Sequence, residues 1–238
     1  MNEGKTCLVL GVGPATGSAV AQRFAQAGYN LAIASRSDKN LAAAADLVRK
    51  TGVRVLVIKT DAANEAAVTR LVAQAETELG PIEVAVYNAS GRVIKSVLEL
   101  TGAEVESAWR TACLGGLFFG REAAKRMVTR NKGTIIFTGA TAGMRGGANF
   151  AGFAIGKFGL RALAQSMARE LHPQGIHVTW VNIDGIIETP NQDTVITKDK
   201  ANSMLTPAAI AETYYQIHLQ HRSAWSQEVE LRPWVERF

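Results

Sequence analysis

The segment with the clearest chemical potential is a glycine-rich stretch near the N-terminus, Gly11-Val12-Gly13-Pro14-Ala15-Thr16-Gly17. It follows a short apolar run and precedes a helical pattern, so it joins a predicted strand to a predicted helix. Glycine lets the backbone turn sharply and approach a phosphate, while the first turn of a helix offers free N–H groups and a positive dipole end. In this context the stretch favours a dinucleotide site over an ordinary tight turn.

A second candidate site lies where the second predicted strand ends, at Ser35 and Arg36. A carboxylate at this place would accept hydrogen bonds from an adenosine ribose and repel a 2′-phosphate. A hydroxyl followed by a guanidinium does the reverse, because arginine can pair bidentately with a phosphate. The pair therefore predicts NADP(H) in preference to NAD(H). The alternative is that Arg36 is a surface residue that closes the strand.

Short apolar runs must position these residues. They are apolar at nearly every position, which is typical of parallel strands covered on both faces. The predicted strands are Thr6–Gly11, Asn30–Ser35, Val53–Lys59, Ile82–Tyr87, Gly133–Thr138 and Ile176–Ile183, with a last strand at Trp225–Arg232.

The segments between the strands carry apolar residues at three- and four-residue spacing, as helices do. Asp38 and Asn64 are predicted to cap two of them, and Pro207 to open the last. Besides the helix that opens at Pro207, the predicted helices are Ser18–Ala27, Asp38–Lys50, Glu65–Leu79, Ala103–Arg130 and Phe150–His172. This alternation predicts an α/β fold, a Rossmann-type doubly wound parallel sheet of about seven strands with helices on both faces.

A chain of 238 residues without a linker or repeat suits one domain over 1–238. Its one irregular stretch is Thr189–Thr206, which is polar and follows the sixth predicted strand. Ligands in open α/β sheets bind beyond the carboxyl ends of the strands, so this stretch is either a flap over the site or an ordinary surface loop.

Composition excludes several classes of protein. The net charge is +5, but 26 Lys and Arg residues are dispersed among 21 acidic ones, which disfavours nucleic-acid binding. Cys7 and Cys113 offer neither a disulfide framework nor metal-ligand spacing. Because no apolar run is long enough for a signal segment or a membrane span, we predict a cytoplasmic protein with no membrane partner.

The glycine-rich stretch resembles the coenzyme loop of the short-chain dehydrogenase/reductase family, which reads Thr-Gly-x-x-x-Gly-x-Gly. Gly11 and Gly17 fall on the first and last glycines, and Ala15 falls on the middle one. The methyl group of Ala15 crowds the approach of a pyrophosphate, while the Thr16 hydroxyl offers a donor in return. The resemblance implies that the coenzyme phosphates contact Gly11, Gly13, Ala15, Thr16 and Gly17.

Further motifs resemble the same family, over residues 5 to 190. Thr60-Asp61-Ala62 resembles the turn whose aspartate holds the adenine, and Tyr87-Asn88-Ala89-Ser90-Gly91 resembles the turn after the fourth strand. Asp184-Gly185-Ile186-Ile187-Glu188-Thr189 resembles the family's Pro-Gly-x-x-x-Thr, which holds the nicotinamide carboxamide. The additional coenzyme residues implied are Asp61, Ala62, Asn88, Ala89, Ser90, Gly185, Ile187 and Thr189.

In that family a Tyr-x-x-x-Lys pair, a serine and an asparagine carry out the chemistry. The resemblance places Lys157 on the lysine and Phe153 on the tyrosine. It places Cys113 on the asparagine and Ala140 on the serine, and a one-residue slip would put Thr141 there instead. Lys157 is expected to bind the coenzyme ribose or act through a water, the alternative being a surface lysine. Phenylalanine transfers no proton, so the ordinary mechanism is not expected.

Two functions follow from these features. The first is an NADP(H)-dependent oxidoreductase acting on the carbonyl or alcohol group of a small-molecule substrate with a substitute proton donor. The second is a non-catalytic coenzyme-binding sensor or silent subunit. Candidate substitute donors, with packing or surface roles as the alternative, are Tyr87, Arg145, Asn149, Tyr214 and Tyr215. The resemblance also implies a homodimer or homotetramer built on the helices after the fourth and fifth strands.

Overall fold

The computed structural model describes residues 4–189 and 203–236, through which one parallel sheet runs. Its strands are β1 Thr6–Leu10, β2 Asn30–Ser35, β3 Val55–Lys59, β4 Ile82–Tyr87, β5 Gly133–Thr138, β6 Ile176–Ile183 and β7 Glu228–Leu231. They pair in the order β3-β2-β1-β4-β5-β6-β7, and every pair is parallel. The predicted doubly wound α/β fold is confirmed.

Helices cover both faces of the sheet. They are α1 Thr16–Gln26, α2 Asp38–Arg49, α3 Glu65–Leu79, α4 Gly102–Trp109, α5 Gly115–Val128, α6 Ala151–Leu171 and α7 Pro207–Leu219. Apolar side chains of α3, α5 and α6 form one buried cluster with the sheet, and those of α1, α2 and α7 form another on the opposite face. Among the described helices, none has the length and apolarity that crossing a bilayer requires.

The strand order reverses beside β1, which has β2 on one side and β4 on the other. A crevice forms at such a point, because the connections from the two neighbouring strands leave in opposite directions. The glycine-rich loop follows β1 and the turn at 88–91 follows β4, so both lie at this crevice. The fold therefore brings together the two segments that sequence motifs assign to a coenzyme.

Three local predictions need correction. The helix predicted over Ala103–Arg130 is divided into α4 and α5 by a π-helical turn, Arg110–Leu114. The cap of α2 is Ser37, whose hydroxyl accepts the Asn40 N–H, whereas Asp38 lies in the first turn. Both residue types cap helices well, and only the backbone conformation selects between neighbours. The last strand is shorter than predicted.

Other local predictions are confirmed. The Asn64 side chain accepts the Ala67 N–H at the start of α3, and Pro207 opens α7. Residues 190–202 of the predicted flap lie outside the described residues. Ile187, just before the stretch, forms a parallel β-bridge with Leu205 near its end.

Trp180 fixes the loop that leaves β5. This side chain is 1% exposed on β6, beneath Gly139 and Gly143. A methyl group on Gly139 would overlap the indole ring and lie 2.8 Å from its Nε1. The loop that carries Ala140 and Thr141 therefore rests on a rigid aromatic surface.

We expect Gly139→Ala to lower the free energy of unfolding by about 2 kcal/mol, because overpacking a rigid neighbour costs about 1–3 kcal/mol. Gly146→Ala in the same loop is the control, since a methyl group there meets no atom within 4 Å. Urea denaturation measures both. Equal stability of the two variants would show that Trp180 does not fix the loop.

Candidate functional site

A cleft of about 520 Å3 opens at the carboxyl edge of the sheet, around the glycine-rich loop. Eight of the predicted coenzyme residues line it, namely Gly11, Gly13, Ser35, Arg36, Ala62, Asn88, Ala89 and Ser90. Residues that were not predicted as coenzyme contacts also line it, namely Leu10, Val12, Ser37, Asn40, Thr60 and Thr111. These six lie within or next to the quoted motifs, at the start of α2 or in the π-helical turn.

Two glycines of the loop are required by backbone contact. Gly11 has φ +105°, and a methyl group there would overlap the backbone nitrogen of Ala89. A methyl group on Gly17 would lie 2.7 Å from the Gly11 carbonyl oxygen. Gly13 differs, because a methyl group there meets no atom within 4 Å. The loop is thus in close backbone contact at Gly11 and Gly17, whereas there is free space next to Gly13.

The start of α1 has unsatisfied donors. Ala15 provides no side-chain cap, and the first turn contains no acidic residue. The Thr16 hydroxyl oxygen is buried and has no hydrogen-bond partner among the described residues. By contrast, Ser18 donates to the Gly13 carbonyl at 2.6 Å, and the Asn88 amide donates to the Gly11 carbonyl at 2.8 Å. Free N–H groups, a helix dipole and an orphaned hydroxyl suit a phosphate.

Arg36 lies on the cleft at the end of β2. Its side chain is exposed, and within the described residues it forms no ion pair. The nearest acid in sequence, Asp38, is paired with Lys59 at 2.6 Å. The guanidinium is therefore available to an anionic group that enters the cleft.

Other predicted coenzyme residues lie outside the cleft lining. The Asp61 carboxylate accepts the Ala63 N–H at 3.0 Å and so orders the turn after β3. Gly185 follows β6, where a methyl group would lie 2.6 Å from Pro233 Cδ. Ala15, Thr16 and Gly17 support the loop from the side of α1, and Ile187 and Thr189 follow Gly185. Their coenzyme contacts stay predictions.

Lys157 lies on the buried face of α6. It is 3% exposed, and its Nζ donates to the Thr138 carbonyl at the end of β5, at 2.7 Å. Burial lowers the pKa of this amine to about 8. The Phe153 ring lies one turn earlier, with its centroid 5.9 Å from both the Lys157 Nζ and the Arg92 guanidinium. No proton-transferring group occupies that position.

Beyond β5 the structure adds a group that sequence reasoning missed. Ala140 is extended and begins a single 3₁₀ turn, Thr141–Gly143, and it contributes only a methyl group. The Thr141 hydroxyl donates to Asp184 Oδ1 at 2.5 Å. Arg232 donates to Asp184 Oδ2 from Nε and Nη2 at 2.9 and 2.8 Å.

Two arginine side chains lie beside the buried Asp184 carboxylate. The Asp184 carboxylate is 2% exposed, and Arg145 Nη2 lies 3.8 Å from its Oδ1. Burial raises the pKa of Asp184, but the hydrogen bonds from Thr141 and Arg232 outweigh this and hold the pKa below its usual value. An acid placed directly after an apolar strand was a signal for this site, but Arg232 is 48 residues away in sequence and only the fold brings it there.

The structure supports the packing alternative for the tyrosines and not the donor role. Tyr87 is fully buried and its hydroxyl donates to the Thr111 carbonyl, while Tyr214 is buried and bonded to the Thr138 hydroxyl at 2.8 Å. Burial raises the pKa of both phenols. Tyr215 packs edge-on against Phe24, on the α1 side of the sheet. The role of each tyrosine depends on the groups packed around it, which residue type alone does not reveal.

The remaining candidates have structural surroundings of their own. Cys113 lies in the π-helical turn, where a methyl group on Gly159 of α6 would be 2.7 Å from its Sγ, and burial raises the pKa of its thiol. The Asn149 carbonyl accepts the Lys95 N–H at 2.8 Å. Within residues 4–189 and 203–236, no three His, Cys, Asp or Glu side chains are grouped to hold a metal ion.

Comparison with known proteins agrees with this architecture. Residues 5–200 match the family model described as short chain dehydrogenase. A short-chain dehydrogenase/reductase of Armillaria gallica is 31% identical over 196 residues, which cover 81% of this chain and 75% of that protein. The solved structure of a short-chain dehydrogenase from Rhodopseudomonas palustris is 38% identical, with a TM-score of 0.84 over 97% of this chain and 99% of that one.

A more distant structure shows how far the fold extends. The actinorhodin polyketide ketoreductase, solved with NADPH, is 20% identical and has a TM-score of 0.87 over 98% of this chain and 97% of that one. At this identity the likeness concerns the fold alone. The family model and the Armillaria relative carry the assignment: the chain belongs to the short-chain dehydrogenase/reductase family.

Proposed function

We propose that this protein is an NADP(H)-dependent oxidoreductase that interconverts an alcohol and a carbonyl group on a small molecule, without a tyrosine acid. One observation carries the proposal. Gly11 and Gly13 line the same cleft as an Arg36 that has no ion-pair partner in the described residues, and the uncapped start of α1, with the orphaned Thr16 hydroxyl, follows that loop directly. This combination suits a ligand that carries phosphate both at the glycine-rich loop and at Arg36. A relative of the same fold was solved with NADPH.

The chain's own residues fit the parts of that coenzyme. Backbone N–H groups at the start of α1 and the Thr16 hydroxyl would hold the pyrophosphate. Ser35 and Arg36 would hold the 2′-phosphate, and Lys157 would bind the nicotinamide ribose. The base and nicotinamide would contact Asp61, Ala62, Asn88, Ala89, Ser90, Gly185, Ile187 and Thr189. When bound, the coenzyme supplies a centre that accepts or gives a hydride.

Three of the family's catalytic groups are replaced in this chain by Phe153, Ala140 and Cys113. General acid–base catalysis contributes about 10²–10⁴-fold and a positioned oxyanion donor about 10²–10³-fold, so the ordinary mechanism loses both. Two polar groups remain near that position, the Lys157 amine and the Thr141 hydroxyl. Orientation of the reactants supplies the rest of the acceleration.

The proposed assembly is a homodimer or homotetramer built on α4, α5 and α6. An apolar groove of about 610 Å3 runs between α4 and the start of α6, with Trp109 and Ile155 in its lining. Val97 and Ile155 in its lining are 71% and 50% exposed, and Leu98 next to Val97 is 92% exposed. A contiguous exposed apolar patch of this kind marks an interaction site. Light scattering of the purified chain measures the assembly, and a monomer at micromolar concentration would contradict it.

We expect Arg36→Gln to raise the dissociation constant for NADPH by about 10- to 100-fold, because hydrogen bonds between charged groups contribute about 1.5–3 kcal/mol. The dissociation constant for NADH should not change, since NADH has no 2′-phosphate. Arg70→Gln on the exposed surface of α3 removes the same charge and is the control. Calorimetric titration measures all three proteins, and equal losses for both coenzymes would contradict the role of Arg36.

We expect slow oxidation of NADPH with a panel of ketones and aldehydes, followed by absorbance at the reduced nicotinamide band. Lys157→Met should lower kcat/KM by about 10- to 100-fold, because the variant cannot orient the ribose or share a proton. Tight NADPH binding without turnover, unaltered by Lys157→Met, would indicate the non-catalytic coenzyme-binding protein instead.

The buried Lys157 amine should also make stability depend on pH. Its folded pKa of about 8 lies below its unfolded value of 10.5, so the unfolded chain binds this proton more tightly. The free-energy cost of burying the charged amine is fully present below pH 8 and disappears as the pH rises to 10.5. The wild type should therefore gain about 3 kcal/mol relative to Lys157→Met across this range. Urea denaturation at each pH tests this, and a constant difference would mean an ordinary lysine.

A further inference from the structure

The Asp184 carboxylate is the buried charge near the proposed reaction centre that the family pattern leaves unexplained, since that pattern has a proline there. It lies at the end of β6, and its hydrogen bond to Thr141 places it one residue from Ala140, where the family has its serine. A buried carboxylate without partners would be costly. Here Thr141, Arg232 and Arg145 are its partners.

The direction of the hydrogen bond matters. The Thr141 hydroxyl donates its only proton to Asp184, at 2.5 Å, which leaves its lone pairs to accept a proton from elsewhere. Thr141 is half-buried, unlike Asp184, so it is the member of the pair that the proposal places against the substrate. As long as Asp184 is ionised, the pair accepts a proton and has none to give.

The second carboxylate oxygen of Asp184 is held by a series of connected polar groups. Arg232 holds it with two N–H groups and also donates to Glu230 at 2.6 Å. The Asn182 amide donates to the other oxygen of Glu230, at 2.7 Å. The carboxylate is thus oriented toward Thr141 by groups on β6, on β7 and after β7, and is not free to rotate.

We propose that Thr141 and Asp184 form the proton-accepting pair of the proposed alcohol oxidation, with Thr141 touching the substrate and Asp184 acting through it. This rests on the proposed function.

The atoms balance as follows. The substrate O–H bond breaks and its proton forms a bond to Thr141 Oγ, while the Thr141 proton passes to Asp184 Oδ1. The hydride leaves the carbinol carbon with its electron pair for the oxidised nicotinamide, and the C–O bond becomes a carbonyl. Asp184 then loses the extra proton to water. Carbonyl reduction is the reverse and requires a protonated Asp184.

The charges around the pair determine the pH dependence. Asp184 faces Arg232 and Arg145, with Glu230 behind Arg232, while the Lys157 amine lies on the Thr138 carbonyl. Because Asp184 must be ionised to accept a proton, oxidation should fall on the acid side as Asp184 becomes protonated. Reduction should rise over the same range.

The test uses the full chain, NADP+ and a panel of secondary alcohols, with kcat/KM recorded against pH. Asp184→Asn and Thr141→Val should each lower kcat by about 100-fold and abolish the acid-side decline. The double variant should be no slower than either single one, because the two residues act as a unit. Thr141→Ser should stay within about threefold of the wild type, since it restores the hydroxyl.

Two readouts separate catalysis from structure. The dissociation constant for NADP+ should stay within about twofold in every variant, and Glu228→Gln should leave the rate unchanged. That control removes a similar carboxylate pair with Arg161, on β7. Without coenzyme, the carboxyl pKa of Asp184 read by carbon-13 NMR should rise in Thr141→Val and return in Thr141→Ser.

An acid-side decline that persists in Asp184→Asn or in Thr141→Val would overturn the pair. So would a loss of rate in Thr141→Val that is matched by an equal loss of NADP+ affinity. If Asp184→Asn does not fold, Thr141→Val and Thr141→Ser still decide. A wild type that binds NADP+ but oxidises no alcohol overturns this inference alone, whereas a wild type that binds neither NADP+ nor NADPH overturns the proposed function.

Discussion

Between β1 and β4, the two chain segments that leave the sheet pass each other in backbone contact. Gly11 lies against the Ala89 nitrogen with a positive φ, and the Asn88 amide holds the Gly11 carbonyl. Gly17 also packs closely against Gly11, so α1 starts directly behind the loop. No side chain fits at either glycine. This contact holds the glycine-rich loop at the cleft, directly before the uncapped start of α1, and the proposed coenzyme site depends on it.

The reaction centre is a separate matter. The proposed chemistry has lost the groups that the family places on the tyrosine, serine and asparagine positions. Instead it offers a buried amine on Lys157 and a carboxylate that is oriented by arginine. Removing one partner from a buried charged group is costly, so such a group persists only where all its partners are present. The connected hydrogen bonds of Thr141, Asp184 and Arg232 meet that condition.

Much of the fold could be predicted from the sequence. The bounds of β2, β4, β5 and β6 agree with the apolar runs, because a strand buried on both faces is apolar throughout its length. The division of the long helix before β5 could not be predicted, since a π-helical turn adds one residue without changing the apolar pattern much. The cap of α2 was displaced by one residue for a similarly local reason.

The candidate site was only partly predictable. Local motifs predicted the residues around the cleft, because strand, turn and helix are consecutive there. The directions of the Tyr87 and Tyr214 hydroxyls depend on what packs around them. The contact of Arg232 with Asp184 joins residues 48 positions apart, and no spacing rule covers it. The sequence does not reveal which polar groups pair when they are far apart along the chain.

A crystal structure of the protein with NADPH tests the account most directly. We expect the pyrophosphate against the start of α1 with the Thr16 hydroxyl donating to it, and the 2′-phosphate on Arg36. The nicotinamide should face Thr141, with the Lys157 amine on its ribose. A coenzyme that leaves the Thr16 hydroxyl and Arg36 uncontacted, or a nicotinamide that lies away from Thr141, would contradict the account.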